Sequence, residues 1–248
     1  MTVRPIPRAT RPVKMTGAAI RRRLAAHAEP DRVPLLRRFF KTGPGGYGEG
    51  DVFAGVRLSG IHEVCRGCRG AGLGAIRTLL RSRVHEERLL ALLLLVDAFK
   101  RGDDAARRSI YEFYLSHTAF INNWDLVDSS APSIVGAWLY ERSRSPLRRL
   151  AKSTSLWERR IAILATQYFI RQGELEETFR IADMLLDDPH DLIHKAVGWM
   201  LREAGNRDGA AERRFLKTRY RRMPRTMLRY AIEKYPLAER KKYLAGEF

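Results

Sequence analysis

Apolar residues recur at helical spacing through almost the whole chain beyond residue 15, in stretches such as IRRRLAAHA, RLLALLLLVDAF, RRIAILATQYFI and KAVGWMLREAG, and no stretch shows sustained strand alternation. That pattern excludes a sheet-based fold and predicts an all-α chain. The helices also repeat. Stacking HEERLLALLLLVDAFKRGD, LWERRIAILATQYFIRQGE and LIHKAVGWMLREAGNRD puts Ala91, Ala162 and Val197 at equivalent positions, and INNWDLVDSS slots between the first two with Val127 in register, a period of 35 or 36 residues. Units of that length are helix pairs that bury their apolar faces only by stacking, so the expected architecture is a HEAT-like helical-repeat solenoid. Its concave surface is built from the same helix of each pair. Breaks at Pro30, the glycine-rich loop 43–50, Gly102, Pro146, Gly173, Pro189 and Pro224 leave helices of ordinary length. One solenoid domain is expected over residues 16–248, preceded by a basic, proline-broken arm at 1–15 that reads as disordered.

Charge narrows the partners. Forty-six Lys and Arg against 28 Asp and Glu give a formal net charge of +18, which attracts polyanions and favours nucleic acid as partner. AIRRRLA, SRSPLRRLAK and RRFLKTRYRRMPR would be ordinary solvated faces in a neutral protein. Lining one concave surface, they would make a basic groove that tracks the phosphates of a duplex without reading its sequence. Lys195, one turn before Trp199, is the best single phosphate contact. The most apolar run, LLALLLLVDAF, is too short for a membrane span and contains Asp97. The expectation is a monomer in a reducing, cytoplasmic compartment, nucleoid-associated if the source is bacterial.

Three motifs are discounted. Cys65 and Cys68 form one CxxC, and with no second pair a structural zinc site is not expected; a surface or half-buried thiol pair is. Gly43, Gly45 and Gly48 spell GxGxxG, but no strand precedes them, so the glycines are read as permitting a flexible or tight turn between helices. HDLIH spaces His190 and His194 like a zinc helix, yet lacks the glutamate of HExxH and a clear third ligand; local hydrogen bonding or a solvent-facing position is the alternative. No metal or cofactor is expected.

The acidic-aromatic stretch INNWDLVDSS stands out in so basic a chain. If Leu126 and Val127 face a core, Trp124 and Asp128 share another face of the helix. Arg160 lies 36 residues after Trp124 and Trp199 lies 71 after Asp128, so the repeat projects all four from corresponding faces onto one groove wall. Two readings stay open: packing and helix capping, or a site for a cationic ligand held by an aromatic face and a carboxylate, with Arg160 holding a phosphate nearby.

The ordered set RRFFKTGPGGYGEGDVFAGVR, HEERLLALLLLV, NNWDLVDSS, LWERRIAI, HDLIHKAVGWMLRE and MPRTMLRYAIEKYP resembles the AlkD-type DNA alkylation-repair glycosylases over residues 35–245. The resemblance implies a HEAT-like fold and excision of cationic N3- and N7-alkyl purines from duplex DNA by cleavage of the N-glycosidic bond, without base flipping. It assigns catalytic positions to Trp124, Asp128 and Trp199, and DNA contact to Arg160. Phe39 stands where some relatives carry a tyrosine. The competing expectation is a non-catalytic HEAT-like module that binds DNA or another acidic partner through the same groove.

Overall fold

The computed structural model describes residues 15–248, so the arm expected at 1–15 lies outside the described residues apart from Met15. Helices account for every regular element among the described residues, apart from one isolated bridge between Val52 and Val84.

Three long helices form the spine: His85–Arg101, Leu156–Arg171 and Asp191–Gly205. The periodicity read from the sequence is the packing register, since Ala91, Val127, Ala162 and Val197 are each at 0% exposure. Small or β-branched side chains at these points let successive helices stack along one continuous core. Helix starts follow capping chemistry. Ser155 accepts from the Glu158 N–H, Asp103 from Ala106, and Asp208 from both Ala210 and Ala211, each satisfying donors that the first helical turn leaves unpaired.

The second repeat departs from ordinary helix length. Its inner helix is only Trp124–Asp128, followed by a π-helical turn, Pro132–Gly136, and the short helix Ala137–Leu139. Two causes lie in the sequence. The Ser130 hydroxyl donates back to the Leu126 carbonyl at 2.5 Å, and Pro132 has no N–H to continue the ladder. The break leaves Trp124 and Asp128 on a single turn, facing the long helices on either side.

Gly198 fixes the approach of the last repeat. A Cβ there would sit 2.4 Å from the Met227 carbonyl oxygen and 2.5 Å from the Tyr230 Cβ, so only glycine lets the Arg225–Ala231 helix come this close beside Trp199.

The arginine-rich stretches have a structural role that the sequence reading did not assign. Arg144 pairs with Glu174, Arg148 with Glu177, Arg219 with Asp183 and Arg222 with Asp187, and outside those stretches Arg159 pairs with Asp188; Arg148–Glu177 joins two helices, and the others tie helix ends, turns and loops 29 to 36 residues apart. The CxxC expectation is corrected: Cys65 is 8% exposed and Cys68 0%, both free thiols inside the first repeat's core. The apolar face of Leu58–Gly67 carries Cys65 inward with Ile61 and Val64, and burial raises its thiol pKa. No helix among the described residues is long and apolar enough to cross a membrane.

Candidate active site

Trp124, Arg160, Lys195 and Trp199 line one cavity of about 390 Å³, together with Phe39, Tyr47, Leu192 and Tyr230. Residues from three repeats therefore converge as their register implies. Leu126 and Val127 are at 0% exposure, which turns Trp124 and Asp128 away from the core on the opposite side of their short helix. Asn123 caps that helix by accepting from the Trp124 N–H at 2.8 Å.

Asp128 sits behind the cavity wall, tied to Arg160 by a two-pronged pair. Arg160 Nε donates to Oδ1 at 2.9 Å and Nη2 to Oδ2 at 2.8 Å, while Nη1 donates to the Leu192 carbonyl at 2.7 Å. Their side chains are 6% and 16% exposed. Burial pushes the Asp128 carboxyl above its ordinary pKa, and the Arg160 guanidinium pulls against it. The expectation of Arg160 as an outward phosphate holder is revised accordingly. Its side chain reaches the cavity, but its forked face is spent on the carboxylate.

Lys195 is half-exposed and bonds Asp191 one turn earlier at 2.6 Å, a contact that raises the lysine pKa and keeps it charged. Trp199 donates its indole N–H to Glu203 at 3.1 Å, which orients the ring across the cavity. Phe39 is 58% exposed and meets Trp124 edge-on, with centroids 5.8 Å apart. Behind Trp124 lies Phe40, stacked at 5.5 Å.

Sequence reasoning missed Tyr47. It sits in the glycine-rich loop that was discounted, yet its hydroxyl accepts from the Trp124 indole N–H at 3.3 Å and donates to the Phe39 carbonyl at 3.2 Å. A lone tyrosine between glycines carries no periodic signal; its one available clue was being the only aromatic residue in TGPGGYGEGD. The two histidines of HDLIH act locally. His190 Nδ1 accepts from the Leu192 N–H at 3.1 Å, capping its helix, and His194 bonds the Asp188 carbonyl.

Fold and site together define a helical-repeat protein whose inner helices gather two tryptophans, a lysine and a buried arginine–carboxylate pair at one cleft. The model of the DNA alkylation repair enzyme family matches residues 20–235, and the chain belongs to that family, of AlkD type. No curated protein matches the chain. Among solved structures, one described as a predicted DNA alkylation repair enzyme from Enterococcus faecalis superposes with a TM-score of 0.65 at 13% identity, covering 85% of this chain and 98% of that one. At that identity the likeness bears on the fold, which it supports as a helical-repeat solenoid.

Proposed function

We propose that the protein is a DNA glycosylase that hydrolyses the N-glycosidic bond of cationic N3- and N7-alkylated purines in duplex DNA. The observation that carries this reading is the buried Asp128 carboxylate, held by Arg160 behind a cleft whose wall is built from Trp124, Arg160, Lys195 and Trp199, residues of three repeats.

The chemistry matches those residue types. Alkylation at N3 or N7 makes the purine a positively charged leaving group, and as the bond to C1′ lengthens the charge passes to the deoxyribose. A carboxylate fixed in advance beside that carbon stabilises the oxocarbenium-like species and orients the attacking water, as in glycoside hydrolysis. Trp124 and Trp199 offer π-faces to the cationic sugar. Lys195 supplies a phosphate contact that holds the strand across the cleft, while Arg160, spent on Asp128 and the Leu192 carbonyl, shapes its wall. In this reading the groove engages the backbone of the lesion rather than an extruded base, so the unstacking cost of base flipping, a few kcal/mol, is avoided. The domain that does this spans residues 16–248 and acts as a monomer.

The test is direct. Purified protein is incubated with duplex DNA carrying 7-methylguanine or 3-methyladenine, and released base and alkali-labile sites are measured against the spontaneous rate. Release above that rate, lost in Asp128→Asn, supports the glycosylase. A second reading, a non-catalytic DNA-binding module, is favoured by one observation: Asp128 and Arg160 satisfy each other, as a purely structural pair would. Duplex binding without release from either adduct would select it.

A further inference from the structure

The buried charges beside the site belong to two different segments, and one histidine joins them. His85, 2% exposed at the start of its helix, bonds Asp51 through Nδ1 at 3.2 Å and Asp125 through Nε2 at 2.7 Å. Asp51 closes the glycine-rich loop that carries Tyr47, and Asp125 follows Trp124 on the short helix. With both ring nitrogens facing carboxylates, only the doubly protonated imidazolium satisfies the two contacts at once.

The rest of the surroundings keeps the bridge in place. Arg88 donates to Asp51 at 2.6 Å, and the Asn123 amide donates to the same carboxylate at 3.1 Å. Phe40 and Phe53 close over the imidazole at 4.7 and 4.8 Å. Beyond Asp51, Glu86 accepts from the backbone N–H groups of Ala54, Gly55 and Val56, so the loop's exit is pinned to the same helix start. The loop is also packed too tightly to slide, since a Cβ on Gly48 would fall 2.3 Å from the Phe40 carbonyl oxygen.

We infer that His85 is a cationic clamp that holds the Tyr47 loop against the Trp124 helix, and that Tyr47 is thereby a positioning residue, its hydroxyl fixing the Trp124 indole at the wall of the cleft. The inference rests on the glycosylase reading for its effect on rate, and on geometry alone for the clamp. Burial opposes the charge on His85, but the hydrogen bonds to Asp125 and Asp51 outweigh it and raise the pKa to about 9. A group raised in this way holds the fold below its ordinary value and releases it as pH climbs through about 9. The clamp is therefore closed at neutral pH and opens in alkali.

Two measurements on the full chain test this. Single-turnover release of 7-methylguanine is followed for wild type, Tyr47→Phe and His85→Gln, from the ordinary histidine pKa to above about 9. In parallel, proton–nitrogen NMR records the Trp124 indole N–H. Tyr47→Phe is expected to slow release about three- to tenfold, the worth of one hydrogen bond, with melting temperature and duplex affinity unchanged, and to shift the indole resonance. His85→Gln is expected to be slow at every pH and to lose the alkaline fall seen in wild type. Wild-type release by Tyr47→Phe, or an indole signal unmoved by both substitutions, overturns the inference. If wild type releases no base, the glycosylase reading fails by itself, and the indole signal then decides the clamp: displaced, it stands; unmoved, it falls. Should His85→Gln not fold, Tyr47→Phe and the wild-type indole signal across alkaline pH decide.

Discussion

Removing Arg160 is the most informative single perturbation, because this side chain is both a cavity wall and the partner of Asp128. In Arg160→Ala the carboxylate stays where it is, 16% exposed, and loses both prongs of its pair. Breaking a buried pair from one side costs about 3 to 5 kcal/mol, since the remaining charge is uncompensated. For a chain of 248 residues that lowers the melting temperature by roughly 6 to 20 °C. The deficit depends on pH with a definite sign. Arg160 is what pulls the Asp128 pKa down, so without it the carboxyl rises further and takes up a proton. A carboxyl raised in the fold favours the folded state at low pH and ceases to as pH climbs through its folded value, so the deficit shrinks on acidification and grows towards neutrality. Excision falls in parallel, with its acid limb displaced to higher pH. Melting curves and single-turnover excision measured across pH report both effects. Pairing Arg160→Met with Asp128→Leu should restore much of the melting temperature and leave excision lost, because an apolar pair of similar volume replaces a buried ion pair at little cost. An Arg160→Ala protein that melts like wild type at neutral pH, with no pH-dependent deficit, would refute the reasoning.

Asp128→Asn keeps size and some hydrogen bonding but not charge, so single-turnover excision should drop by about ten- to a thousandfold while duplex affinity holds or rises; equal loss of binding would remove the catalytic assignment. Lys195→Ala should weaken duplex binding modestly and flatten its salt dependence by about one unit of slope, read from affinity against salt concentration. Gly198→Ala should destabilise the fold by about 1 to 3 kcal/mol in urea titrations, because the added methyl meets the Met227 carbonyl and Tyr230; wild-type stability there would mean the helices can part at no cost.

The solenoid was legible because its repeat is written in residues that have one environment each. Ala91, Val127, Ala162 and Val197 recur at one period and share one buried position, and the same register carries Trp124, Arg160, Lys195 and Trp199 to one cleft. What the register cannot express is pairing between repeats. Arg160 and Asp128 lie 32 residues apart, so their mutual neutralisation depends on how two helices are offset, which no single helix reveals. The same holds for Arg144 and Arg148 of SRSPLRRLAK and Arg219 and Arg222 of RRFLKTRYRRMPR, read as phosphate trackers and found on carboxylates 29 to 36 residues away. His85, Asp51 and Asp125 escaped notice for a related reason. Charged residues at helix starts and in loops are usually solvated, and only the fold of the glycine-rich loop over the helix start buries these three together.

The arginine–carboxylate pairs that tie segments 29 to 36 residues apart make the stack a stiffened spring. A repeat protein flexes at its joints, and here several joints are bridged by charges, some of them open to solvent, whose hold weakens as salt is added. Ionic strength would therefore reach the proposed DNA-binding cleft by two routes, screening it from a polyanion and loosening the stack around it. Those arginines are also a poor place to trim the protein's positive charge, because each one removed takes a tie between repeats with it.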